Sequence, residues 1–561
     1  MEKHQLSALS RKDTIQQLST ETFDILIIGG GITGAGIALD AASRGLKTAL
    51  VEKVDFAWGT SSRSTKLVHG GLRYLKQLEI ALVREVGLER AIVHQNAQHI
   101  VIPERMLLPI VEGGTLGKYS SSIGLKVYDW LAGVERSEQR KMLSKADTLK
   151  AEPLLKEEGL KGGGLYYEYR TDDARLTIEV LKTAAEYGAK PLNHAKAIAL
   201  RYDENGQVCG ASMQDGIANT SFDINAKVVI NAAGPWVDEL RHLDKEGVTG
   251  KRLHLTKGIH LVVAKEKLPI QQAVYFDVEE DKRMIFAVPR GRITYIGTTD
   301  TTYKAAIDEP STTLEDAEYV LRAVNALFPS VHLTIDDVQS TWAGLRPLIH
   351  EDGKSPSELS RKDEIFLSET GLISMAGGKL TGYRKMAERA TDQAVLQLKA
   401  QTVGSIPKST TKEIKLVGGR FENQEALQHF AARKVGEAKQ IQAPQDHVVD
   451  LVYRYGADAD VILEKAFELY GKIKDPALRL LAAEIWYGIT YEMCHDLNDF
   501  FIRRTGRLYF ERPSIPGILA FTADQMQQIL DWSADEKAHQ IEAFNKEFEL
   551  VMAFARNPVK S

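Results

Sequence analysis

The sequence predicts an α/β fold in three parts: a parallel-sheet domain, a mostly antiparallel sheet inserted into it, and a helical C-terminal domain. Three observations predict it. An apolar run at residues 25–28 enters a cluster of glycines, and an amphipathic stretch, a second apolar run and an acid follow. Residues 251–300 switch to alternating apolar and polar positions, the period of a half-buried sheet. From about residue 401 the chain reads as helices joined by polar connectors.

The first stretch is the most specific. The run 25–28 leads into Gly29-x-Gly31-x-x-Gly34, residues 37–44 read as a helix stopped by Gly45, and the run 48–51 ends at Glu52. Strand, glycine turn, helix, strand and acid in this order form the dinucleotide fingerprint of a Rossmann-like domain. The first glycine allows the tight turn, the second lets backbone approach a pyrophosphate, and the third lets the helix pack on the strand. The helix N-terminus then offers unpaired N–H groups to the phosphates. Glu52 stands about 20 residues on, where a carboxylate accepts from ribose hydroxyls. Residues 58–74 are rich in small hydroxyl side chains and end in the paired glycines Gly70 and Gly71, flanked by His69, Arg73 and Tyr74. Such a loop lets backbone and hydroxyls press against a flat or phosphorylated ligand.

The middle of the chain alternates elements. Residues 75–100 read as a helix, 103–110 as an apolar connector or strand, and 111–160 as loops with helical stretches. Tyr166 and Tyr167 lie in an apparent strand, and a helix at 177–187 is closed by Gly188. Residues 195–202 and 207–213 form a hairpin, and 227–231 a strand that ends in Ala233-Gly234 and brings a second segment against the dinucleotide. In the alternating region, 284–288 and 293–297 flank Pro289-Arg290-Gly291-Arg292 as a hairpin. A helix at 313–327 follows, then strands at 364–367 and 372–375. Gly377-Gly378-Lys379 opens a helix to about 398, a second strand–glycine–helix unit. In the last part, Asp446 is expected to cap a helix closed by Gly456. Asp475-Pro476 is expected to open a helix running to about Arg504, with further helices near 522–532 and 535–555.

The domain plan is therefore a lead-in at 1–20, a dinucleotide domain at 21–110, connecting elements at 111–160 and interleaved segments at 161–250. A cap domain at 251–345, the last part of the dinucleotide domain at 346–400 and a helical domain at 401–561 complete it. The chain has 561 residues, too many for one ordinary core. Its net charge of -5 argues against a general nucleic-acid binder. The two cysteines, Cys209 and Cys494, fit no metal spacing and read as packing residues, so no metal is expected. Residues 1–20 contain no apolar signal region, and no run of about 18 apolar residues spans a bilayer. Peripheral attachment needs only a surface patch and stays open.

Ile28-Gly29-Gly30-Gly31-Ile32-Thr33-Gly34-Ala35-Gly36 and its continuation to Gly45 resemble the N-terminal signature of FAD-dependent glycerol-3-phosphate dehydrogenases. Gly377-Gly378-Lys379-Leu380-Thr381-Gly382-Tyr383-Arg384, continuing to Ala387, resembles their second signature. Residues 66–75 are similar to a further family stretch, and Asp499-Phe500-Phe501-Ile502-Arg503-Arg504-Thr505 is a weaker one. The resemblance covers 20–400 and, less specifically, the helical domain. It implies an FAD-binding Rossmann-like domain with an inserted antiparallel-sheet substrate domain of the glycine/D-amino-acid oxidase type. It also implies non-covalent FAD, oxidation of sn-glycerol 3-phosphate to dihydroxyacetone phosphate, and electron transfer to a membrane quinone. The resemblance implies, further, a homodimer held peripherally on the cytoplasmic face of the membrane.

By the same resemblance Arg73, Tyr74, His260, Arg346, Arg361 and Lys379 form the substrate pocket, and His69 faces the flavin. The cofactor set is Gly29, Gly31, Thr33, Gly34, Glu52, Lys53, Thr60, Ser61, Ser62, Ser64, Lys66, His69, Gly70, Gly71, Ala233, Gly234, Gly378, Lys379, Leu380 and Thr381. The residue types suit the chemistry. A phosphomonoester needs two or more fixed cations, and the arginine fork binds oxygens in pairs. A general base near neutral pH is best supplied by a neutral histidine, His260 or His69. Arg346 holds the substrate oxygen, while Lys379 and the Gly377-Gly378 backbone face negative charge on the ring. A glycerol-3-phosphate oxidase using oxygen is the alternative. Such oxidases carry an extra insertion in the substrate domain, and none is evident between 251 and 376. An NAD-linked enzyme is disfavoured by the second glycine segment, and a non-enzymatic flavoprotein is the remaining rival.

Overall fold

The computed structural model describes residues 6–70, 80–114, 140–350, 363–399 and 405–556. The strand Thr22–Ile28 is buried from Ile25 onward and pairs in parallel with Thr48–Val51 on one side and Ser221–Asn231 on the other. Lys190–Leu192 extends the sheet beyond Thr48–Val51, and Ile373–Gly377 extends it beyond Ser221–Asn231, both in parallel. Asp363–Leu367 closes that edge in antiparallel fashion. The hairpin of Ala195–Tyr202 and Val208–Asp215 hangs from the first half of Ser221–Asn231. The central runs are continuously Ile, Leu and Val because helices cover the sheet. The helices Ile32–Ser43, Asp173–Glu186 and Tyr383–Lys399 pack together over it. Gly36 permits the closest of these approaches: an added Cβ would lie 3.0 Å from Ala387 Cβ and from the Tyr383 ring.

The second sheet runs in the order Thr301–Thr302, Leu253–Ala264, Ile293–Gly297, Met284–Arg290, Ala273–Asp277, Ile102–Val111, Leu160–Arg170, Leu67–Val68. Val338–Ile349 also pairs with Leu253–Ala264, and Lys141–Leu143 with Leu160–Arg170. The expected hairpin about residues 289–292 is present, with Arg290 opposite Ile293. This sheet recruits strands from residues 67–170 as well as from 251–345. The run 106–110 is apolar throughout and lacks the alternation that would assign it to one sheet or the other. Period two is visible in Leu253–Ala264: Ile259, Leu261 and Val263 face a core shared with the helix Leu314–Leu327. Val262 faces a core shared with Phe500, Phe501, Leu508 and Ile515 of the C-terminal domain.

Three expectations are corrected. The helix at Asp475-Pro476 begins as expected, with the Asp475 carboxylate accepting from the N–H groups of Ala477 (2.8 Å) and Leu478 (2.9 Å). It ends at Tyr491 rather than near Arg504. The chain breaks at Glu492, whose carboxylate turns inward to Arg175 at 2.7 Å, and Met493 takes a φ of 51°. Asp446 lies in the first turn of the helix Gln445–Tyr455 and is not its cap, whereas Gly456 does close it, at φ 58°. The later helices are Ile515–Leu530 and Ala534–Leu550, the first opening earlier than expected because Pro516 fits a first helical turn. The lead-in contains the helix Arg11–Thr20, fastened by Arg11 to Asn193 O (2.8 Å) and Asp215 (2.6 Å).

Candidate active site

The parallel strands end along one edge of the first sheet: Ile28 at Gly29, Val51 at Glu52, Asn231 before Ala233-Gly234, and Gly377 at Gly378. Ligands of open α/β sheets bind beyond these carboxyl ends. Gly29 has φ 120°, and an added Cβ would lie 2.5 Å from Ala232 O. An added Cβ on Gly34 would lie 1.8 Å from Gly29 O, so helix Ile32–Ser43 can start directly on the turn. No side chain caps that helix at Gly31. Ser61 Oγ accepts from Ile32 N–H at 2.9 Å, and the following N–H groups of the first turn, of Thr33 and Gly34, precede the first intrahelical donor and suit an anion. Glu52 is held by the N–H groups of Gly30 (2.7 Å) and Val54 (3.1 Å), and burial pushes its carboxyl pKa up. An uncapped helix end beside a fixed acid fits the pyrophosphate and ribose of a dinucleotide.

The segment after Glu52 is tied down along its length. Lys53 pairs with Asp308 at 2.7 Å and lies over the rings of Trp58 and Trp236. Thr60 Oγ1 donates to Leu345 O (2.7 Å), Ser62 Oγ to Gly59 O (3.4 Å), and Trp342 Nε1 to Ser64 O (3.0 Å). Asp173 accepts from Ser64 N–H at 2.9 Å and from Lys66 Nζ at 2.5 Å. The ammonium of Lys66 is thus spent in the interior, and its backbone, at φ 55°, is the part that shapes the loop. Gly70 N–H donates to Glu168 at 3.3 Å. The two glycine segments meet where Thr381 Oγ1 accepts from His69 N–H (3.1 Å) and donates to His69 O (3.0 Å). Gly378 has φ 85°, with Met386 Sδ 2.3 Å from an added Cβ, and Lys379 and Leu380 are half-buried in the same turn. Asn231 Oδ1 orders the third turn by accepting from Ala233 N–H at 3.1 Å, and Gly234 follows at φ 57°.

His260 and Arg346 rise from paired strands of the second sheet. Arg346 Nη1 donates to Asp300 Oδ1 at 3.0 Å and Nη2 to Thr298 Oγ1 at 2.9 Å. An added Cβ on Gly258 would lie 2.1 Å from Arg346 Nη2, and one on Gly297 would lie 2.2 Å from the His260 ring. These glycines are sockets for the two side chains. His260 is 1% exposed, stacks on Trp342 at 4.8 Å, and has Nε2 3.2 Å from Thr65 Oγ1. Burial first, then the charges of Arg346 and Lys66, hold its pKa well below the ordinary histidine value, so the imidazole is neutral. Gly71, Arg73, Tyr74 and Arg361 lie outside the described residues. Sequence reasoning missed Asp173, Thr298, Asp300 and the socket glycines. A signal for part of this existed in Gly297-Thr298-Thr299-Asp300, a small polar turn closing an alternating strand.

A family model described as FAD dependent oxidoreductase matches residues 24–384, and one described as the C-terminal domain of alpha-glycerophosphate oxidase matches 409–537. Fold and site define an FAD-dependent oxidoreductase, with FAD as its cofactor. The aerobic glycerol-3-phosphate dehydrogenase of Bacillus subtilis is 49% identical over 551 residues, 97% of this chain and 98% of that one. The solved glycerol-3-phosphate dehydrogenase of Bacillus halodurans, complexed with FAD, is 43% identical with a TM-score of 0.84 and 99% coverage of both chains. The chain belongs to the family of FAD-dependent glycerol-3-phosphate dehydrogenases. A likeness of fold extends to the dithionite-reduced L-alpha-glycerophosphate oxidase of Mycoplasma pneumoniae with FAD bound, at 19% identity and a TM-score of 0.54 over 70% of this chain and 97% of that one.

Proposed function

We propose that this enzyme oxidises sn-glycerol 3-phosphate to dihydroxyacetone phosphate and passes the electrons to a membrane quinone. The observation that carries the reading is the placement of Arg346, braced by Asp300 and Thr298, beside a neutral His260, in a chain 49% identical end to end to a protein named for that substrate. When bound, the flavin supplies the acceptor for the hydride that leaves the substrate's second carbon. The protein's residues do the rest. His260 takes the hydroxyl proton, since burial beside Arg346 keeps its imidazole unprotonated and therefore free to receive one. His69 borders the ring from the other glycine segment. Arg346 holds the substrate oxygen and cannot itself give up a proton. Arg73, Tyr74 and Arg361 bind the phosphate end. Lys379 and the Gly377-Gly378 backbone place positive potential where the ring gains charge.

The relatives are named dehydrogenases rather than oxidases, and by the family resemblance the acceptor is a membrane quinone. No helix among the described residues is long and apolar enough to cross a membrane. By the family resemblance, the reading has a homodimer held peripherally on the inner membrane face. The match of residues 409–537 to a domain named for an oxidase favours a second reading, in which oxygen is the acceptor and hydrogen peroxide the product. An oxygen electrode separates them. Substrate-dependent oxygen uptake is expected to be slow until quinone analogue and membrane oxidase are present; rapid peroxide release matching substrate loss would establish the second reading instead.

A further inference from the structure

The motif Asp499-Phe500-Phe501-Ile502-Arg503-Arg504 takes no part in the reaction above, yet it buries its charges against the dinucleotide end of the site. We propose that Arg504, assisted by Arg503, is a positioning residue for FAD: it grips Asp55, and through Asp55 holds the segment that carries Glu52. The C-terminal helical domain thereby completes the cofactor site. The proposal rests on the reading of Gly29–Gly34 and Glu52 as the adenosine-diphosphate end.

The grip is bidentate. Arg504 Nη1 donates to Asp55 Oδ2 at 2.7 Å and Nη2 to Oδ1 at 2.9 Å. Arg503 Nε donates to the same Oδ2, and Asn193 Nδ2 to Oδ1 at 2.8 Å. Arg504 and Asp55 are both fully buried. The arginine is braced from behind by Glu492 O, 2.9 Å from its Nε. Two successive arginines reach one carboxylate because Asp499–Arg504 forms a wide π-helical turn, with Thr505 N–H donating to Phe500 O at 3.0 Å. Arg503 Nη2 also donates to Asp499 at 2.8 Å, and Asp499 accepts from His495 N–H (2.9 Å) and faces His194 Nε2 (3.1 Å). Asp55, His194 and Asp499 have the spacing of a metal site, but the guanidinium groups already supply the positive charge there.

From Asp55 the connection to the glycine turn is short. Ala57, at φ 62°, donates its N–H to Gly30 O at 3.0 Å, and Trp58 N–H donates to Asp55 O at 3.0 Å. The Phe56 ring lies 2.9 Å from where a Cβ on Gly30 would stand. Val54 N–H holds Glu52 Oε1, and Val54 O accepts from His194 N–H at 2.5 Å. Any shift of Asp55 therefore moves the residues that touch Gly30 and Glu52. An apolar contact would join the two domains as firmly, whereas a forked ion pair also fixes orientation, which is what a cofactor site requires.

The test compares FAD release from the holoenzyme and from its Arg504→Lys, Asp55→Asn and Glu52→Gln variants, read as free-flavin fluorescence after dilution, with thermal melting in parallel. Asp55→Asn, which keeps the side-chain shape, decides the matter if Arg504→Lys does not fold. Release faster by about tenfold or more in Asp55→Asn and Arg504→Lys, with turnover rescued by excess FAD, is expected from loss of charged hydrogen bonds. Release at the wild-type rate in both, with a lowered melting temperature and faster release in Glu52→Gln, would overturn the proposal and leave the adenosine site standing. Wild-type release in Glu52→Gln as well would overturn the adenosine site itself.

Discussion

Thr381 Oγ1 bridges the backbone of His69, accepting from its N–H at 3.1 Å and donating to its carbonyl at 3.0 Å, across 312 residues of sequence. One hydroxyl therefore joins the two glycine segments assigned above to the ring end of the cofactor, each with its own strand behind it. The joint matters because neither segment is held by local sequence alone. Thr381→Val keeps the shape and removes both bonds. Each backbone group left unpaired costs about 1–3 kcal/mol. Thermal melting of the holoenzyme is expected to show a loss of that size, with looser flavin retention on gel filtration.

Gly258 gives Arg346 its room. Gly258→Ala would place a methyl group 2.1 Å from Arg346 Nη2 and push the guanidinium off Thr298 and Asp300. Catalytic efficiency with glycerol 3-phosphate is expected to fall by about a hundredfold, since a misplaced orienting group costs that much. The flavin spectrum is expected to stay intact, because Gly258 lies on the second sheet and is not part of a glycine turn. Asp300→Asn, which weakens only one of the two braces, is expected to give a smaller loss in the same assay.

The Lys66–Asp173 pair holds the loop before His69 and is almost wholly buried. Lys66→Met leaves the Asp173 carboxylate without its ion partner in the interior. Breaking one side of a buried pair costs about 3–5 kcal/mol. Chemical denaturation of the variant is expected to show that loss, and the double variant Lys66→Met with Asp173→Leu is expected to recover part of it.

His99 supplies a pH dependence. It is fully buried, and burial, then the charges of Arg175 and Lys182, lowers its pKa from 6.5 to about 3. The unfolded chain therefore takes up a proton below pH 6.5 that the folded chain refuses, and stability falls as pH drops from 6.5 toward 3. Between pH 6.5 and about 5 the loss from this one group is about 2 kcal/mol. Urea denaturation of His99→Gln is expected to show an acid sensitivity smaller by about that amount. His260, lowered for a related reason, acts in the same direction.

Most of the first sheet was legible in the sequence because strands buried on both faces write themselves as apolar runs, and glycines mark where they end. Thr48–Val51 is a case in point. The cofactor edge was legible for the same reason. The opening of the helix at Asp475 was legible for another, a capping acid followed by proline. What was hidden depends on distance. Asp300 braces Arg346 from 46 residues away, Asp173 takes the ammonium of Lys66 from 107, and Arg504 grips Asp55 from 449. No local period announces such pairs. The break at Glu492 was hidden because its partners are distant: Arg175 takes the carboxylate, Arg504 takes the carbonyl, and Met493 N–H donates to Leu6 O. The ammonium of Lys66 is held by Asp173, so only its backbone is left to face a cofactor.

The central claim is that the flavin of this protein is reduced by glycerol 3-phosphate at a site built around Arg346. Anaerobic mixing of the holoenzyme with glycerol 3-phosphate, followed by flavin absorbance in a stopped-flow instrument, tests it most directly. The account predicts anaerobic bleaching in the wild type, abolished in Arg346→Ala. Bleaching of Arg346→Ala at the wild-type rate, or a wild-type flavin that stays oxidised with saturating glycerol 3-phosphate, would contradict it.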